Sequence, residues 1–183
     1  MSLRIEPGSA WFYPAALLLA LVWATGGFAS GPLHLGGQGG NAGRPIVQPV
    51  LIGLGLAAVF VVGALLVREI PWLADEVRNV LVYSEGDEPL LLLLVTVLTG
   101  IGEELFFRGG LYAAIPLQQV AITTLTYAVA TAASGNVMLA FAALVLGVVV
   151  GLERRASGGI LAPVLTHVVW SVAMLYALPA ILL

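Results

Sequence analysis

Residues 89–108 read PLLLLLVTVLTGIGEELFFR, and this stretch decides the fold. Thirteen apolar or small residues, Leu90 to Gly102, run straight into Glu103, Glu104 and then Arg108. A helix rises about 1.5 Å per residue, so Glu103 lies roughly 20 Å along from Leu90. That depth is inside a hydrocarbon layer, where one unpartnered charge costs at least ~2.5–3.5 kcal/mol. Spacing supplies one partner: Glu104 and Arg108 are i,i+4 and meet on one helical face. Glu103 is turned about 100° away and has no local counter-ion.

The rest of the chain agrees with a membrane setting. Sixty per cent of its 183 residues are hydrophobic and 9% are charged, and the mean hydropathy is +1.05. A soluble domain carries roughly 25% charged residues, so much of this surface faces lipid. The expected fold is an all-α membrane protein, with about six transmembrane helices and one amphipathic interfacial helix. The spans are about Ala10–Ala29, Pro45–Val67, Leu90–Phe107 (extending toward Ile115), Pro116–Ala133, Val137–Leu152 and Ile160 to the end. Arg4 followed by Ala10–Ala24 has the form of a signal peptide and is read as the first span. Pro71–Tyr83 sets Trp72, Leu73, Val77, Val80 and Leu81 against Asp75, Glu76, Arg78 and Asn79, the pattern of a surface helix. We expect one integral membrane domain over 1–183.

Composition also excludes chemistries. With no Cys, thiolate catalysis, disulfides and Cys-based zinc sites are out. Two histidines, His34 and His167, do not make a His-rich metal site, and no cofactor is expected. A net charge of −3 offers no electrostatic basis for binding nucleic acid. All seven basic residues are Arg; with abundant Ala, Gly and Val, this is the composition of a GC-rich source. Arginine counts tie on the two sides, leaving orientation open.

His167 is the second polar group within a span, and Ser171 lies one turn further on the same face. Alone it reads as a helix-packing histidine. Beside a Glu-Glu-Arg helix it reads as part of a shared site. Ser134 with His167 suggests a rhomboid-like Ser/His pair, but Ser134-Gly135-Asn136 is ordinary turn chemistry. A transporter reading has one acidic cluster and no repeat behind it.

Gly102-Glu103-Glu104-Leu105-Phe106-Phe107-Arg108-Gly109 resembles the E-E-x-x-x-R motif of the CAAX-protease and bacteriocin-processing (CPBP, Abi) membrane proteins. Arg155 to His167 resembles that family's Gly-rich turn followed by a His-bearing helix. The CPBP-like core would span 89–174. The resemblance implies an intramembrane glutamic endopeptidase, placed in a bacterial cell membrane. Its substrate would be a membrane-bound or lipidated peptide. Glu103 would be the general base for water, Glu104 and Arg108 its support, and His167 an oxyanion donor. Two positions depart from the family. Thr131 stands where F-x-x-x-H has its His, in Tyr127-Ala-Val-Ala-Thr131. Ser171 stands where H-x-x-x-N has its Asn. Neither hydroxyl takes up a proton at neutral pH. The competing reading is a catalytically impaired member of that fold, a scaffold or accessory subunit with a membrane-protein partner. If a site exists, Glu103, Thr131 and His167 should converge on one cavity.

Overall fold

The computed structural model describes residues 5, 9, 11–36, 46–84 and 88–183. The Gly-rich loop beyond Gly36, the turn at 85–87, Arg4 and Arg44 lie outside the described residues. Among those described, every regular element is helical. Helix α1 is Phe12–Ala29, α2 Val47–Val67 and α3 Pro71–Leu81. Helix α4 is Pro89–Ala114, α5 Gln119–Ala132, α6 Val137–Ser157 and α7 Leu161–Leu182. The protein is an all-α membrane protein.

Five of these helices are long and apolar enough to cross a membrane: α1, α2, α4, α6 and α7. The expected count was about six, and α5 makes the difference. It has 14 residues, about 21 Å of helix, against a hydrocarbon core of ≈30 Å. The expected start at Pro116 moves to Gln119. Gln118 takes a left-handed conformation, φ 54°, and the Gln119 amide donates to Tyr112 O at the end of α4, at 3.0 Å.

Helix α6 outruns its expected end at Leu152 and carries Glu153, Arg154 and Arg155 in its last turns. Arginines in a last turn suit the negative end of the helix dipole. The stop comes at Gly158, whose φ of +69° caps the helix. Helix α3 is amphipathic as expected, with Trp72 exposed and Ala74 and Leu81 buried.

Helices α1 and α2 are apolar all round and bury mainly small residues: Ala16, Ala20 and Gly27 in α1, Gly53, Ala57 and Ala64 in α2. Their large side chains point out, Leu18 at 61% and Val59 at 66% exposure, as lipid-facing surfaces do. Without a hydrophobic force between helices in lipid, close backbone approach holds the bundle. A Cβ on Gly102 would lie 2.7 Å from Ala20 O, and one on Gly53 would lie 2.8 Å from Thr166 O. Helix α1 thus packs on α4, α2 on α7 and α5 on α6, while α4 and α7 pack on each other at the centre.

Candidate functional site

Helix α4 changes form at the motif. Pro89–Glu104 is α-helical, Leu105–Leu111 is π-helical, and Tyr112–Ala114 returns to α. Single π-turns inside α-helices are frequent at functional sites. Arg154 Nε donates to Arg108 O at 2.8 Å, and its guanidinium covers the Tyr112 ring at 4.8 Å. The π segment is therefore held from α6.

Glu104 and Arg108 are both fully buried and pair at 3.0 Å. Arg108 also donates to Gly147 O on α6 at 3.2 Å and lies 5.0 Å over the Tyr127 ring. Gly147 leaves room for this, since a Cβ there would come 3.2 Å from the guanidinium. The expected self-paired support is what the geometry contains, with one addition. His167 Nδ1 stands 2.7 Å from the same Glu104 Oε1 that Arg108 holds. A carboxylate paired with arginine accepts, so Nδ1 carries a proton and Nε2 is the nitrogen turned toward the site.

Nε2 faces Glu103, 3.8 Å from its Oε2. Glu103 is the accessible carboxylate of the two, its side chain 18% exposed against 0% for Glu104. It accepts a 2.7 Å hydrogen bond from the Tyr127 hydroxyl on α5. Glu103 and His167 are thus brought together from α4 and α7, within the distance a shared site requires. Tyr127 joins the two halves: its hydroxyl holds Glu103 while its ring carries the Arg108 cation.

Thr131 is placed differently from the expectation. Its hydroxyl donates to Tyr127 O on its own helix at 2.9 Å, a local bond that a Thr makes with the preceding turn. The side chain from α5 that reaches Glu103 is Tyr127, one turn earlier. Sequence reading cited Tyr127 only as the start of the F-x-x-x-H position and missed its role. The signal was present, since a Tyr in a span needs a partner for its hydroxyl. Ser171 lines an apolar cavity of about 510 Å³ rather than touching Glu103. Val59, Phe60, Phe141, Trp170 and Met174 line the same cavity, which ends within one turn of His167. Ser134 caps its turn, its Oγ accepting from Asn136 N at 3.3 Å. His34 is exposed, and its carbonyl accepts from Ile160 N at 2.8 Å. Among the described residues, no group of three His, Asp or Glu side chains is arranged to hold a metal ion.

A buried, arginine-held carboxylate orients a histidine beside a second, accessible carboxylate in a membrane bundle. The two carboxylates, the histidine and Tyr127 thus form one polar cluster drawn from three helices. Residues 85–173 match the family model described as type II CAAX prenyl endopeptidase Rce1-like. This segment, just under half of the chain, holds the Glu-Glu-Arg motif and His167 and is similar to that family. No curated protein matches the chain, and no solved structure does.

Proposed function

We propose that the protein is an intramembrane endopeptidase that hydrolyses a peptide bond of a membrane-associated or lipidated substrate, with Glu103 as general base. One observation carries this: Glu103 is the accessible carboxylate, hydrogen-bonded by Tyr127 and 3.8 Å from His167 Nε2. Hydrolysis of an amide without a nucleophilic side chain needs a base for water and a donor for the oxyanion. Glu103 takes one proton from water as the water oxygen bonds to the scissile carbonyl carbon. His167, held at Nδ1 by Glu104, donates to the oxyanion from a protonated Nε2. The C–N bond then breaks, and the proton on Glu103 goes to the leaving amine. Glu104 and Arg108 are positioning residues in this scheme, and Tyr127 takes the place beside Glu103 that sequence reading gave to Thr131.

The cavity supports a lipidated substrate. It is almost wholly apolar, lies among α1, α2, α3, α4, α6 and α7, and reaches Trp170 and Ser171, one turn along α7 from His167. Neither Glu103 nor His167 lines it, and a chain lodged there would hold its attached peptide one helical turn from His167. The working unit in this reading is one membrane domain over 1–183 with its core at 89–174, in a bacterial cell membrane. The test is cleavage of lipidated and unlipidated peptides by the full chain in liposomes, wild type against Glu103→Gln. Loss of cleavage by about 10²–10⁴-fold is expected on removing the base. Equal cleavage by both proteins ends the glutamate-base reading.

A further inference from the structure

Glu153 follows directly on Leu152, the expected end of the fifth span, and the scheme above does not use it. It sits on α6 with Oε1 2.9 Å from Thr166 Oγ1. The same Thr166 oxygen is 3.0 Å from Pro49 O on α2. Both distances are those of hydrogen bonds, and each needs a proton between its two oxygens. A threonine hydroxyl has one proton to give. A carbonyl oxygen has none. A proton on Glu153 gives each contact its own hydrogen bond, whereas an ionised Glu153 would leave one Thr166 proton shared between two acceptors.

The surroundings agree. Among the described residues no Arg or His forms an ion pair with Glu153. Its neighbour Arg154 is turned onto Arg108 O and the Tyr112 ring. Glu104 from α4 is near enough to act on it electrostatically, so an ionised Glu153 would face a like charge. Its Oε2 is buried with no hydrogen-bond partner. That is tolerable for the carbonyl oxygen of a neutral acid and far more costly for a carboxylate.

We infer that Glu153 is a protonated carboxylic acid that donates to Thr166, which donates to Pro49 O, and that this chain positions His167. The chain runs in one direction from α6 through α7 to α2. It closes where α2 and α7 touch backbone to backbone, at Gly53 and Thr166. Thr166 is fully buried and is the residue before His167. Holding it fixes the start of α7 and with it the 2.7 Å contact of His167 Nδ1 with Glu104. Glu153 is thus a positioning residue, and only its kinetic consequence rests on the proposed peptidase activity.

The test uses the full chain in lipid nanodiscs at neutral pH. Infrared difference spectra of wild type minus Glu153→Gln should contain the carbonyl stretch of one protonated carboxylic acid. A lost carboxylate band in its place overturns the inference. His167 is followed by the NMR resonance of its Nδ1 proton. Glu153→Gln, whose amide can still donate to Thr166, should keep that resonance and most of the cleavage rate. Glu153→Leu should broaden or shift it and lower cleavage about five- to tenfold, the effect of one lost hydrogen bond. If Leu and Gln behave alike at His167, the positioning role is wrong. Should wild type cleave nothing, the infrared and NMR results still decide this inference, and the peptidase reading alone falls.

Discussion

Two adjacent glutamates with the same chemistry have opposite fates because one residue turns a helix by about 100°. Glu104 points into the bundle, where Arg108 and His167 meet it at 3.0 and 2.7 Å. Glu103 points toward Tyr127 and stays partly accessible. Two outcomes follow at this scale. Tyr127→Phe removes one hydrogen bond to a carboxylate, worth ≈1.5–3 kcal/mol, so cleavage should fall about ten- to hundredfold while the thermal midpoint in detergent holds. An unchanged rate would show that Tyr127 only packs. Arg108→Met leaves Glu104 buried without its cation, which typically costs 3–5 kcal/mol. Its unfolding midpoint should drop well below that of Glu103→Gln, and equal midpoints would contradict the division of roles.

Among the elements, α4 carries the most consequence. Its π segment begins one residue after Glu104, and the glycines around it let neighbours come near. Gly102 is one of the positions where α1 touches the motif. Gly102→Val puts a Cβ 2.7 Å from Ala20 O, and backbone cannot step aside as a flexible side chain would. Such overpacking typically costs 1–3 kcal/mol, so thermal unfolding should shift down, and cleavage should fall with it because α1 braces the helix that bears Glu103. An unshifted midpoint would mean that α1 docks loosely. The start of α6 is fixed differently: Asn136 accepts from Leu139 N at 2.9 Å as an N-cap, and its amide donates to Glu76 O. Asn136 thereby ties the surface helix α3 to the bundle. Asn136→Ala loses a cap worth ~1 kcal/mol, and protease nicking near α3 should rise if that tie matters.

The molecule as a whole has two ends with different characters. On the C-terminal side of His167 along α7 lies the apolar cavity, lined also from α2, α3, α4 and α6. On the other lie Glu153, Thr166 and the Arg154 bracket, a polar junction of α2, α4, α6 and α7. In the proposed scheme the attached lipid of a substrate would occupy the first. Ala142→Trp projects a ring into the cavity, which has space for it. Each methylene kept from an apolar site forfeits ≈0.8 kcal/mol, so KM for a lipidated peptide should rise tenfold or more. Cleavage of an unlipidated peptide should change little. Equal losses on both substrates would point to a distorted site rather than a blocked cavity.

Much was legible from local chemistry. Span lengths, the amphipathic 71–83 segment and the Glu104–Arg108 pair follow from hydropathy and from the 3.6-residue period, which act within a helix. The Glu-Glu-Arg motif located the site by the cost of charge in hydrocarbon, and the same cost, with the resemblance, assigned His167 to it; the packing of α4 on α7 brings His167 to Glu103. What the tertiary structure alone decided is which side chain answers which. Tyr127 rather than Thr131 meets Glu103, and Thr131 spends its proton on its own helix. Glu153 looked like the end of a span and proved to be inside a helix junction, since only the packing of α2 against α7 sets Pro49 O beside Thr166. Partners 39 to 117 residues apart leave no trace in a local period. The expensive charges of 89–108 were visible in the sequence because their cost is local, while the groups that offset that cost come from four helices.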